Sequence, residues 1–299
     1  MPNSKHFSLG AFVCLIIGGS ALGFTGVFMR LSDVSPVASA FWRFALAAPV
    51  LWIWALSVEK ENIAKRRWIS LHKVLVLAGL YFAGDMFLFH QSLHYTTVSN
   101  ATLLLNLAPV VIAFVMWKLH HTRFAPIFLI GMAVALVGAV GLLGASFTRG
   151  GIGLWGDFLG LLSAGFYAGY QLLVKAARLH YSSPRLMFWI STVSALALLP
   201  FALTMPGHFF PQSLIYWLPL LGLAFISQIL GQTTIAYASH HLPAALASIT
   251  LLVMPLVGTI AAWGLFDEKL GTIQVCGGLL LLFGLYLTTR GYHHQNPPP

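Results

Sequence analysis

Charge is what this 299-residue chain has least of: Asp, Glu, Lys and Arg make up 8% of it, against 58% hydrophobic residues. A water-soluble domain carries about 25% charged residues. This chain has too few polar side chains to cover a globule in water. Cysteine is also scarce. Cys14 and Cys276 both fall inside apolar runs, where cysteine acts as a small hydrophobe. No Cys/His cluster has the spacing of a zinc site. There is no GxxxxGK[ST] run to cradle nucleotide phosphates, and no GxSxG or HExxH. An enzyme is therefore not expected, nor a cofactor or a metal. The net charge of +9 would suggest nucleic acid in a soluble protein. Here it marks Lys and Arg in loops, where they set orientation across a bilayer, and no nucleic-acid partner is expected.

What the chain has instead is apolar runs of about 20 residues, the length that spans a bilayer core, at a mean hydropathy of +0.84. The first run, 10–29, is too long for a signal peptide and ends without an Ala-x-Ala site, so it reads as a mature helix. Ten spans are expected, at 10–29, 36–57, 74–95, 99–118, 124–145, 157–177, 183–204, 214–239, 243–266 and 270–289. A Gly-rich connector, 148–156, separates a first half (1–147) from a second (157–290), and the tail 291–299 reads as disordered.

The halves repeat. Pro109 recurs as Pro255, Trp117 as Trp263, Ala101 as Ala247, Gly131 as Gly277 and Gly138 as Gly284, each 146 positions on. A fixed offset suggests duplication. With five spans per half the two copies enter the membrane from opposite sides, so the fold expected is all-α and polytopic, two inverted five-helix repeats. Inverted repeats build transporters with a site near the membrane midplane. With the N-terminus inside, only Arg30, Arg43, Arg149 and Lys269 of the 16 basic residues fall outside. The positive-inside rule then puts both termini in the cytoplasm.

The stretch YTTVSNATLLLNLAP from Tyr95 to Pro109, its echo YASHHLPAALASITLLVMP ending at Pro255, and the turn Asp267-Glu268-Lys269 resemble the EamA family of the drug/metabolite transporter superfamily. The first copy departs at His121-Thr122-Arg123, which lacks the acid. Near the start, GFTGVFMRLSDVSP and SAFWRFALAAPV look most like the YddG-type amino-acid exporters. That resemblance implies export of aromatic and other neutral amino acids across the bacterial cytoplasmic (inner) membrane, by a protein expected to be a monomer among membrane lipids. Drugs or other small metabolites are the rival substrates.

Asp85 is the sharpest candidate, because an ionisable group at membrane depth faces a cavity or a partner. It reads as a substrate-amine or proton site, or as an acid paired structurally. Tyr81 and Ser92 share its helix face. Tyr167 and Gln171, with Gln228 and Gln232, are polar groups inside spans that need partners. They either hold helices together or line a cavity for a zwitterion. Thr102 and Asn106 in the fourth span and Ser248 in the ninth are similar candidates, and Thr102 and Ser248 are repeat mates. Pro109 and Pro255 break matching helices, as hinges or as static kinks. The glycines of the fifth and tenth spans let helices approach closely. His90 and His94 have metal-holding spacing but no carboxylate on their face. An intramembrane enzyme using Asp85 and His90 is a distant rival, since five residues turn the helix by about 140°.

Overall fold

The computed structural model describes residues 8–58, 73–95, 104–121, 124–143, 152–266 and 272–295. These form helices throughout, joined by short turns, and their only β-type contact is an isolated bridge between Val34 and His208. Apolar side chains cover the outside: Trp52, Ile53, Leu154 and Leu196 are all largely exposed. Asp85, Arg43 and Gln228 are buried. That inversion of the soluble pattern is what a lipid solvent selects. Five helical segments are long and apolar enough to cross a membrane, Leu9–Leu31, Pro36–Val58, Lys73–Ser92, Ser183–Thr204 and Leu214–His241. Shorter apolar helices accompany them at Ala108–Leu119, Pro126–Gly141 and Val275–Thr288.

The first apolar segment is interrupted at Phe24, which divides α1 (Leu9–Gly23) from α2 (Thr25–Leu31). Helix α3 (Pro36–Val58) opens with Pro36 at its first position, where a missing N–H costs nothing. The Ser35 hydroxyl caps it by accepting from the Ala38 N–H at 3.2 Å. Helix α4 (Lys73–Tyr95) follows, then α5 (Ala108–His120), closed by His121 in the left-handed region (φ 49°). Next come α6 (Pro126–Leu143), α7 (Ile152–Ala177) and α8 (Ser183–Thr204). The following segment is composite: a 3₁₀ turn, the short α9 (Trp217–Gly222), a π-helical stretch Leu223–Gln232, and α10 (Thr233–His241). Then come α11 (Ala244–Thr250), α12 (Val253–Phe266) and α13 (Thr272–Gln295). Helix α7 begins at Ile152, inside the stretch read as a connector, and α13 runs on to Gln295, through residues read as a disordered tail. Residues 296–299 lie outside the described residues.

Helices α6 and α13 pack antiparallel along glycine. A Cβ on Gly131 would lie 2.9 Å from the Gly284 carbonyl oxygen, and one on Gly138 would lie 2.7 Å from that of Gly277. Gly131 and Gly277 are repeat mates, as are Gly138 and Gly284. Exchanging the halves therefore maps each contact onto the other, which is the signature of a two-fold axis. A side chain at either site would strike backbone, so this seam forms only because glycine stands there. Elsewhere α3 packs on α8, α4 lies between α7 and α8, and α1 is surrounded by the π-helical stretch, α10 and α12.

The spans at 99–118 and 243–266 are each interrupted one turn before their proline. Asn106 and Leu107 form a turn before α5, which carries Pro109 in its first turn, and Leu251 and Leu252 form a turn before α12, which carries Pro255. Proline has no N–H for the preceding turn, and both copies resolve that by stopping and restarting the helix.

Candidate functional site

The two interruptions face one another across a small cavity. Its wall includes Leu105, Asn106 and Ala108 from one break and their mates Leu251, Leu252 and Met254 from the other, with Pro109, Tyr167 and Gln171 closing it. The free space, about 20 Å³, is room for one water.

Tyr167 stands one helical turn before Gln171 on α7 and lies within electrostatic reach of a second group of residues, Asp85, Arg43 and Tyr170. Helix–helix packing assembles that group. Gly84 of α4 sits against the Phe166 ring and Gly169 of α7 against Tyr81, so α4 and α7 come close enough to link their polar side chains. The Ser163 hydroxyl of α7 donates to Asp85 Oδ1 at 2.6 Å. Asp85 is fully buried, and its Oδ2 has no hydrogen-bond partner among the described residues.

Arg43 reaches the same region from α3. The sequence reading counts it among charges on the outer side; it lies inside the helix instead, 3% exposed. Its Nε donates to Gln228 Oε1 at 3.0 Å, and Gln228 Nε2 donates to the Ser191 hydroxyl at 3.1 Å. The guanidinium carbon stands 5.7 Å from the ring centroids of both Phe44 and Phe82, a cation–π placement. Nη2 has no hydrogen-bond partner among the described residues. Phe82 stacks on Tyr170 at 4.2 Å, and the Tyr170 hydroxyl donates to Gln232 Oε1 at 3.0 Å. The π-helical stretch thus turns Gln228 toward Arg43 and Gln232 toward Tyr170. Such widened turns occur frequently at functional sites.

Of the residues singled out from sequence, Asn106, Tyr167, Gln171 and Pro109 line the cavity. Asp85, Gln228 and Gln232 belong to the charged group beside it. Tyr81 packs against Phe166, ring centroids 5.2 Å apart, and is absent from the cavity wall. Pro255 is buried just beyond Met254. Thr102 lies outside the described residues, as does the side chain of Ser248. His90 Nδ1 meets the Met86 carbonyl of its own helix at 2.5 Å. The His94 side chain is outside the described residues, and among those described no group of three His, Cys, Asp or Glu could hold a metal.

Cavity and fold have counterparts among known proteins. The EamA-like transporter family matches the sequence twice, over residues 9–144 and 154–290. The chain belongs to that family. This EamA-like chain is similar to an uncharacterized transporter of Archaeoglobus fulgidus, 28% identical over 305 residues that cover 97% of this chain and 99% of the relative. It is similar also to a probable amino-acid metabolite efflux pump of Salmonella typhimurium, 31% identical over 174 residues, 55% of this chain and 58% of that pump. A solved crystal structure covers 94% of this EamA-like chain and 98% of its own at a TM-score of 0.79 and 17% identity, a likeness of fold. The two breaks that shape the cavity fall one in each matched segment. The protein is thus a membrane-spanning member of a transporter family, and its named relatives are transporters and pumps rather than enzymes.

Proposed function

We propose that this EamA-like protein is a secondary transporter that exports amino acids, aromatic and other neutral ones, by alternating access around the cavity between the two helix breaks. The reading takes ten spans as two inverted five-helix repeats in a bacterial inner membrane, with both termini in the cytoplasm. The observation that carries it is the cavity wall: repeat mates from two discontinuous helices, with Asn106, Tyr167 and Gln171 as its polar lining. Discontinuous helices at a repeat interface expose backbone and polar side chains where a substrate needs them. The reading adds Thr102 and Ser248, repeat mates in the sequence, to the substrate-binding residues, and takes Pro109 and Pro255 as hinges. The Salmonella relative's name supports amino acids as the class, and the YddG-type resemblance of the first two spans supports the aromatic preference.

The test is uptake of labelled phenylalanine and threonine into liposomes holding the purified protein. Uptake above empty liposomes is expected. No uptake of any amino acid by folded, inserted protein overturns the amino-acid reading and favours drugs or other metabolites.

A further inference from the structure

We propose that Arg43 and Asp85 form a two-charge cradle for a zwitterion, Arg43 taking the α-carboxylate and Asp85 the α-ammonium. The proposal rests on the amino-acid reading above and adds to it the groups that recognise the backbone of the substrate.

Arg43 and Asp85 each keep a hydrogen-bonding atom that no described residue uses. A buried charge left without partners is costly, and a buried ion pair is tolerated when hydrogen bonds satisfy its remaining atoms. Here neither charge is fully satisfied. Among the described residues, Asp85 spends Oδ1 on Ser163 and leaves Oδ2 unpartnered, while Arg43 spends Nε on Gln228 and leaves Nη2 unpartnered. They also do not cancel each other. No Arg43 nitrogen comes within 4.0 Å of an Asp85 carboxylate oxygen, although each lies in the other's field. A structural ion pair would have closed that distance. What remains is one acid and one base, held apart by helices α3 and α4, each with a free hydrogen-bonding atom.

An α-amino acid is the complementary object, with its ammonium and carboxylate joined through a single carbon. Guanidinium suits the carboxylate because its planar fork matches two oxygens, and an ammonium donates well to a carboxylate that already holds one serine. The surroundings suit the side chain. Phe44, Phe82 and Tyr170 form a continuous aromatic wall, with centroids 5.1 Å and 4.2 Å apart. Tyr167 stands between this wall and the cavity, stacked at 6.0 Å on Tyr170. Movement of Tyr167 would open the cavity toward the charged group.

Binding of phenylalanine, 3-phenylpropionate (no amine) and phenethylamine (no carboxylate) to purified protein in nanodiscs tests the cradle. Wild type should bind phenylalanine more tightly than either analogue. Arg43→Gln should weaken phenylalanine and phenylpropionate by at least about tenfold, leave phenethylamine unchanged, and be partly rescued by Arg43→Lys. Asp85→Asn should do the reverse, weakening phenylalanine and phenethylamine only. Equal losses for all three ligands, or unchanged phenylalanine affinity in both variants, overturn the cradle while the amino-acid reading stands. Folded wild type that binds no phenylalanine overturns both. Should the variants fail to fold, the wild-type ranking decides: phenylalanine bound no more tightly than phenylpropionate contradicts the proposal.

Discussion

Two buried helix contacts in this protein are built on opposite chemistries. The α6–α13 seam brings backbone against backbone through Gly131, Gly138 and Gly284, and its neighbouring core residues, among them Phe128, Ala135 and Leu281, are apolar. The junction of α3, α4, α7 and the π-helical stretch holds Arg43, Asp85, Gln228 and Gln232, all but excluded from solvent. In lipid there is little hydrophobic gain from joining helices, so close packing has to stabilise them. The seam uses that route fully. The polar junction retains two charges with hydrogen-bonding atoms unpartnered among the described residues, an arrangement that costs stability and that the proposed zwitterion would satisfy. One contact brings glycines of the two repeats together, and the other is where the proposed ligand would bind.

The seam is the more sensitive of the two contacts. Gly138→Leu drives a side chain into the Gly277 and Leu281 backbone and is expected to destabilise by at least about 3 kcal/mol. A collapsed monodisperse peak in detergent is the readout. Gly26→Leu, with no atom within 4 Å of its added Cβ, should stay within about 0.5 kcal/mol of wild type. Next in size is Gln228→Leu, which removes the Arg43 acceptor and the Ser191 donor together. A loss of about 2 kcal/mol in thermal stability is expected, because a buried charged donor loses its acceptor.

Ser163→Ala probes the polar junction alone. It takes the one hydrogen bond from Asp85, and about 1.5 kcal/mol should go in the ligand-free protein. Bound amino acid should recover part of that, which paired melts with and without phenylalanine would measure. Smallest is Pro109→Ala. The helix would regain a backbone donor, and transport should slow a few-fold, roughly 1 kcal/mol, more than binding weakens. Pro255→Ala should act alike if the breaks are equivalent.

Much of this was legible in the sequence because it is periodic. The 146-residue offset pairs the glycines of the seam and the prolines of the breaks. The need of polar groups for partners in lipid picked out Asp85, Gln228 and Gln232. Arg43 was missed because basic residues near the start of a span are ordinarily orientation charges. The signal was its distance from Pro36, seven residues or about 10 Å of helix rise, too deep for a loop. The π-helical stretch was not legible, since LAFISQILGQ reads as an ordinary apolar helix and its widening follows from packing. Nor was the sorting of Tyr81 away from the cavity, which depends on the close approach of α4 and α7 at Gly84 and Gly169.

The central claim is that the cavity between the two breaks opens to each side of the membrane in turn. Gln171 is the residue to watch, lining that cavity yet only 7% exposed. With Cys14 and Cys276 replaced, a Gln171→Cys protein in proteoliposomes would be treated with a membrane-impermeant maleimide applied from outside or trapped within. The account predicts labelling from both sides, slowed by phenylalanine. Labelling from neither side in protein that still transports, or labelling indifferent to phenylalanine, would contradict it.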